Sequence, residues 1–214
     1  MSSVNHQIRL AARPSGLPKP SDWKLTTEPV PAPGRGEFVV AIAYLSIDPA
    51  MRRLIDADYR EPVAIGAVME AGAVGRVTAS EHPGFAIGDH VYGGFGVQEF
   101  ACSDGTGVTR LDPLLAPLTA YLGALGIPGL TAYFGLLEVG RLREGETVVV
   151  SGAAGGVGSV AGQIAKISRC RARTPATWQR HPGPCSRWPR RSRDRRQSSG
   201  TCPGRPRSRQ PGTS

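Results

Sequence analysis

The stretch that decides the fold of this chain is ETVVVSGAAGGVGSVAGQIAKI, residues 146–167. Its TVVV segment is an unbroken run of β-branched residues, which is typical of a parallel strand covered on both faces. Glycines at 155, 156 and 158 permit a sharp reversal into a helix whose first amides can face a phosphate. A purely structural tight turn is the alternative, but the strand before it and the amphipathic helix after it favour a dinucleotide-binding turn.

The segment that follows has a different composition. Residues 168–214 hold 13 Arg, 7 Pro, 7 Ser and 4 Gly, and their only bulky apolar side chains are Trp178 and Trp188. Such a segment cannot bury enough apolar surface to offset an ordering cost of about 1–2 kcal/mol per residue. We therefore predict that residues 168–214 are disordered. The ribose-reading residue expected about 20 residues beyond the glycine turn falls near Arg173, where the sequence has no strand character.

The net charge of +9 comes from this tail alone. Residues 1–167 carry 13 basic against 16 acidic side chains, whereas residues 168–214 carry 13 Arg against Asp194. One hypothesis is that the tail binds nucleic acid or acidic surfaces with a steep salt dependence. The tail lacks, however, the repeated aromatic spacing of dedicated binders, so nucleic acid is not the partner we expect.

The hypothesis we favour for the tail is a change of reading frame near codons 167–169. Out-of-frame translation of a GC-rich gene yields mainly Arg, Pro, Gly, Ala, Ser and Thr, which is the inventory of the tail. We expect another frame downstream of codon 167 to encode a further strand and helix. The nucleotide sequence across codons 160–180 tests this expectation, and no such continuation in either other frame would contradict it.

The first 115 residues or so read as short strands and turns. Segments 37–47, 72–79, 88–95 and 97–103 are rich in β-branched or aromatic residues and are bounded by turn residues, which predicts a small β-barrel or sandwich. The glycines in these segments, among them Gly75, Gly88 and Gly96, are expected to serve bends or bulges.

Two helices are predicted after Pro117. Apolar residues recur at helical spacing, and the pair Pro128-Gly129 is expected to separate the two helices. Thr131 is then in place to cap the second helix, which is expected to end at Gly140.

The composition disfavours several classes of site and location. Cys102 is the only cysteine before residue 168, and no His, Cys or Glu pair there has the spacing of a zinc site, so no metal is expected. Residues 1–16 lack the apolar core of a signal peptide, and no segment offers 18 uninterrupted apolar residues. We expect a cytoplasmic protein without a membrane partner.

Four motifs carry a family resemblance. LSIDPAMRR (45–53), GDHVYG (88–93), GIPGLTAYFGLLEVG (126–140) and VSGAAGGVGSVAGQIAK (150–166) resemble the zinc-independent medium-chain dehydrogenase/reductases, in the branch of the prostaglandin and 2-alkenal reductases. The resemblance covers residues 5 to 167, roughly half of a family chain.

This resemblance implies an α/β fold with two domains. A GroES-like β-barrel catalytic domain would occupy residues 1–116, and residues 117–167 would begin a doubly wound Rossmann domain that binds NADPH. The implied reaction is reduction of the carbon–carbon double bond of an α,β-unsaturated ketone or aldehyde, and the full-length relatives are implied to be homodimers. A non-catalytic binding role for the barrel is the remaining alternative.

The resemblance also assigns site residues. The pyrophosphate loop would comprise Ala154, Gly155, Gly156, Val157, Gly158 and Ser159. Thr131 and Tyr133 would border the nicotinamide, and Asp48 and Met51 would face the substrate cleft, where Ala50 replaces a tyrosine of many plant relatives. No catalytic acid is assigned, and Tyr92 is interpreted as a core or rim aromatic. Because the later family elements have no counterpart after Ile167, we expect weak NADPH binding, poor solubility and little or no activity.

Overall fold

The structure is a computed structural model that describes residues 4–174. The predicted disorder of residues 175–214 lies outside the described residues. Nine strands form three sheets within the described part. Their bounds are Val4–Leu10 (β1), Trp23–Pro29 (β2), Phe38–Leu45 (β3), Ala73–Ser80 (β4), His90–Gly93 (β5), Phe100–Ser103 (β6), Thr109–Leu111 (β7), Thr147–Val149 (β8) and Arg171–Arg173 (β9).

The central sheet is antiparallel and has the order β6-β3-β4-β5-β7. One face of the sheet carries a buried apolar cluster. Val39 and Val74, whose side chains point to the opposite face, are buried as well, so both faces are covered at the starts of β3 and β4. The buried members of this cluster are Phe38, Val40, Ala73, Val77, Val91, Phe95 and Ala101. The four predicted strand segments overlap with β3, β4, β5 and β6, so those predictions are confirmed.

Strand β1 was not predicted, and it attaches to the central sheet through polar contacts. β1 pairs with β2 in an antiparallel hairpin. The side chain of Asn5, which is 1 % exposed, accepts hydrogen bonds from the amides of Glu99 and Phe100 and donates one to the Phe100 carbonyl at 2.8 Å. The backbone N–H and the side chain of His6 donate to the Glu99 carboxylate and hold its pKa below the usual range.

Glycines allow the sheet to bend, as the sequence predicts. A Cβ on Gly75 would lie 2.3 Å from the carbonyl oxygen of Ala41, beside a register shift between Ile42 and Tyr44. Only glycine fits where the neighbouring backbone approaches this closely. Gly88 and Gly96 have φ angles of +102° and +74°, a conformation that other residues rarely adopt.

The helices are α1 (Met51–Leu54), α2 (Leu118–Leu122), α3 (Ile127–Tyr133) and α4 (Gly156–Ile167), with a π-helical segment over Phe134–Val139. The segment ends at Gly140, as predicted. The predicted break at Pro128-Gly129 is wrong, because both residues lie in the first turn of α3, where proline is tolerated. Thr131 lies inside α3 and its hydroxyl donates to the Ile127 carbonyl, so the predicted N-cap role is wrong as well.

The strand TVVV pairs with a strand near Arg173, where the sequence shows no strand character. β9 runs parallel to β8, and the pairing is supported by hydrogen bonds from Arg171 N to Glu146 O and from Val150 N to Arg173 O. Just beyond the end of helix α4, Arg169 has a left-handed backbone conformation and Cys170 is buried. This turn directs the chain back toward β8. The expectation of disorder from residue 168 is therefore wrong for residues 168–174.

Candidate active-site cleft

The glycine turn folds tightly over the start of α4. Gly155 is the N-cap of the helix, and its amide donates to the Gly152 carbonyl at 2.9 Å. A Cβ on Gly158 would lie 2.0 Å from that same carbonyl oxygen. The turn therefore leaves no room for any side chain at position 158.

The start of α4 suits an anion. The first amides of a helix have no carbonyl partner one turn below, and the helix dipole places partial positive charge there. Gly156 and Val157 are exposed at this end, and the loop before them, residues 150–155, contains no charged side chain. The backbone present here fits the pyrophosphate of a dinucleotide, which binds through amides rather than through side chains.

A small cleft of about 70 Å³ lies between the central sheet and the helices α2 and α3. The residues that line it come from strand ends on one side and from two short helices on the other. They are Ser46, Asp48, Gly72, Tyr92, Tyr121, Leu122, Ile127 and Pro128.

Pro128 joins this cleft to the glycine turn. It lines the cleft, and its Cβ would lie 3.4 Å from a Cβ placed on Gly156. The first turn of α3 therefore lies close to the start of α4. A dinucleotide held at the turn has the cleft directly beside it.

Most polar side chains of the cleft already have partners. The Ser46 hydroxyl donates to the Asp48 carboxylate at 2.7 Å, and the Ser46 amide donates to the Gly72 carbonyl at 2.8 Å. The Tyr121 hydroxyl donates to the Asp112 carbonyl at 2.8 Å. These bonds fix Asp48 as an acceptor within the lining.

The three predicted substrate residues have different surroundings. Asp48 lines the cleft, and its contact with a substrate stays a prediction. Met51 packs against the buried cluster around Leu10 and Ile55, and its sulfur accepts the Asp48 amide at 3.2 Å. Ala50 is exposed at the start of α1. Of the three residues, the structure places Asp48 in the cleft lining, and Met51 contacts the backbone of Asp48 through its sulfur.

The predicted cofactor residues divide in a similar way. Residues 154–159 form the glycine turn and the first turn of α4, where the Ser159 hydroxyl donates to the Gly156 carbonyl. Thr131 and Tyr133 lie on α3, outside the cleft lining. Tyr133 is 47 % exposed and contacts Phe134 edge-on. Their contact with a nicotinamide stays a prediction.

Within residues 4–174, no group of three or more His, Cys, Asp or Glu side chains is placed to hold a metal ion. Of the helices in the same range, none has the length and apolar character to cross a bilayer.

A strand–glycine turn–helix unit beside a cleft, preceded by an antiparallel sheet domain, is typical of dinucleotide-dependent oxidoreductases. Residues 6–111 match a family described as the N-terminal domain of oxidoreductase. The chain is 44% identical to the NADPH-dependent curcumin reductase of Escherichia coli, over 78% of this chain and 49% of that protein. It is 40% identical to prostaglandin reductase 1 of Rattus norvegicus, over 73% of this chain and 47% of that protein.

A solved structure gives the same result for the fold. CurA from Vibrio vulnificus in complex with NADPH is 41% identical and superposes with a TM-score of 0.71, covering 79% of this chain and 51% of CurA. Over the part that matches, the chain belongs to the medium-chain dehydrogenase/reductases, in the branch of the NADPH-dependent prostaglandin and 2-alkenal reductases. The chain spans about half the length of the curated relatives it matches.

Proposed function

We propose that this chain carries the N-terminal half of an NADPH-dependent reductase acting on the carbon–carbon double bond of α,β-unsaturated ketones or aldehydes. The observation that carries this proposal is the contact between the glycine turn and the cleft through Pro128. This contact puts the glycine turn and the cleft side by side. In this proposal residues 1–116 form a GroES-like catalytic domain and residues 117–167 begin the Rossmann domain.

The chain's own residues bind and orient the reactants. The backbone of residues 154–159 would hold the pyrophosphate of NADPH, which supplies a hydride when bound. Leu122, Ile127 and Pro128 give the cleft an apolar wall that excludes water from the substrate. Holding two reactants in the correct relative position can lower the activation free energy by about 7–11 kcal/mol.

The charge of the cleft favours an uncharged substrate. Asp48 is an acceptor in the lining, and none of the lining residues is a lysine or arginine. Two like charges 4 Å apart repel by about 4 kcal/mol at an effective dielectric constant near 20. A ketone or aldehyde is therefore preferred to an α,β-unsaturated carboxylate of the same shape.

The experiment that tests this function compares 4-phenyl-3-buten-2-one with cinnamate as partners for NADPH oxidation by the 214-residue chain. We expect slow oxidation with the ketone, binding of the ketone at least tenfold tighter than of cinnamate, and no oxidation with cinnamate. Because the chain spans half of its relatives' length, turnover is expected to lie far below that of a full-length reductase.

Two variants sharpen this comparison. Asp48→Asn should reduce the ratio of ketone affinity to cinnamate affinity, since it removes the charge in the cleft. Asp58→Asn, at an exposed position outside the cleft lining, should leave the preference unchanged. Equal binding of the two probes by the unmodified chain, or no ketone-dependent oxidation at any enzyme concentration, would contradict the proposal.

A further inference from the structure

Tyr92 is placed in the cleft by the strand pairing of the central sheet. It lies on β5, opposite Val74 of β4 and Thr109 of β7. Its ring lies against Gly72, where a Cβ would be 3.4 Å from the Tyr92 hydroxyl and 3.5 Å from the nearest ring carbon. The Tyr92 hydroxyl therefore lies beside the backbone of Gly72, at the edge of the cleft.

The Tyr92 hydroxyl differs from the other polar groups that line this cleft. The hydroxyl protons of Ser46 and Tyr121 are already donated to Asp48 and to the Asp112 carbonyl. The Asp48 carboxylate has only lone pairs to offer. Within residues 4–174, the Tyr92 hydroxyl makes no hydrogen bond. It is therefore the one side-chain donor of this lining whose proton is uncommitted.

We propose that Tyr92 donates a hydrogen bond to the carbonyl oxygen of the substrate and so fixes which way an enone lies in the cleft. This inference rests on the proposed function. A carbonyl oxygen needs a donor, and the Ser46–Asp48 pair repels its lone pairs. The oxygen is therefore directed toward Tyr92, and the double bond toward the wall formed by Ile127 and Pro128, beside the glycine turn.

The same hydrogen bond acts during the reaction. When the β-carbon gains a hydride, the π electrons move to the carbonyl oxygen, which becomes an enolate oxygen, and the α-carbon later takes a proton from water. A hydrogen bond to an oxygen that gains negative charge becomes stronger as the charge develops. Tyr92 keeps its own proton throughout, so no further reactant is needed.

The test measures binding rather than turnover. The probes are 4-phenyl-3-buten-2-one and 1-phenyl-1-butene, which share the phenyl ring and the double bond and differ in the carbonyl. Affinities are measured by ligand-observed NMR with the 214-residue chain and with Tyr92→Phe. We expect Tyr92→Phe to weaken enone binding about three- to tenfold, the range of one neutral hydrogen bond, and to leave alkene binding unchanged.

A second readout reports the bond itself. With a ¹³C-labelled carbonyl, the infrared stretch of the bound enone should lie at lower frequency in the unmodified chain than in Tyr92→Phe, since hydrogen bonding weakens the C=O bond. Tyr44→Phe is the matched control: Tyr44 is 51 % exposed on β3 and lies outside the cleft lining. It should change neither the affinity nor the frequency.

The outcomes separate this inference from the proposed function. Equal enone affinity and equal carbonyl frequency in the unmodified chain and in Tyr92→Phe would overturn the role of Tyr92, even if the chain oxidises NADPH. Loss of enone affinity and of the frequency shift in Tyr92→Phe would support it, even if the chain oxidises no NADPH, in which case only the proposed function fails. Failure of the unmodified chain to bind the enone would overturn both.

Discussion

Replacing Phe38 by alanine is expected to lower the free energy of unfolding of the sheet domain by about 3–5 kcal/mol. Phe38 is fully buried at the start of β3, where it is paired with Ser80 of β4 and with Ser103 of β6. Its ring stacks on Phe85 with a centroid distance of 4.4 Å. The substitution removes these contacts at the point where three strands meet and leaves a cavity that rigid strands cannot fill.

Urea titration followed by circular dichroism measures this loss. Domains of this kind have total stabilities of about 5–15 kcal/mol, so Phe38→Ala is expected to move the midpoint strongly or to leave the sheet unfolded. Leu25→Ala is the control, because Leu25 is 64 % exposed on β2 and its truncation should cost no more than about 0.5 kcal/mol. A loss below about 1 kcal/mol for Phe38→Ala would show that the site closes over the cavity.

The sequence predicts the parts of this fold that local patterns determine. The β-branched segment 37–47 becomes β3, and the glycine-rich segment after TVVV becomes a turn into α4. In both cases the residues that set the backbone conformation are also the residues that form the element. The amphipathic pattern and the turn residues are then sufficient to predict the element.

The elements that sequence reasoning missed are held by backbone groups or by a single side chain, which leave no recognisable pattern in the sequence. β9 reads Arg-Ala-Arg and joins β8 through backbone hydrogen bonds, for which side chains are irrelevant. The turn before it uses Arg169 in a left-handed conformation where glycine is the usual residue, so the expected end signal of the helix is absent. β1 depends on Asn5, a single buried amide that bridges 95 positions of sequence.

The residues of the cleft are likewise difficult to predict from the sequence. Asp48 could be assigned through its motif, but Gly72, Tyr92 and Tyr121 lie in segments that meet this motif only when the sheet and the helices pack. A tyrosine in a strand has the same local pattern whether its hydroxyl faces solvent or a substrate. Sequence alone gives Tyr92 as a core or rim aromatic. The structure adds its place in the cleft beside Gly72 and the partners of the other hydroxyls, and the proposed role of Tyr92 is argued from these two observations.

Replacing Gly158 by alanine is expected to weaken NADPH binding by roughly 5- to 150-fold, the equivalent of about 1–3 kcal/mol of overpacking in the turn. The new Cβ would lie 2.0 Å from the Gly152 carbonyl oxygen, a backbone atom that cannot rotate away. The turn must therefore open, and the amides at the start of α4 lose the arrangement that suits a pyrophosphate. Titration of NADPH fluorescence with the 214-residue chain, extended into the millimolar range, measures the change.

Gly162→Ala is the matched control for this prediction, because it makes the same chemical change in the same helix. A Cβ on Gly162 meets nothing within 4 Å. Alanine there should stabilise α4 by up to about 1 kcal/mol and leave NADPH binding unchanged. If Gly158→Ala binds NADPH as tightly as Gly162→Ala does, the dinucleotide is not held by this turn. The turn would then serve only to join β8 to α4, and the placement of the cofactor beside the cleft would lose its support.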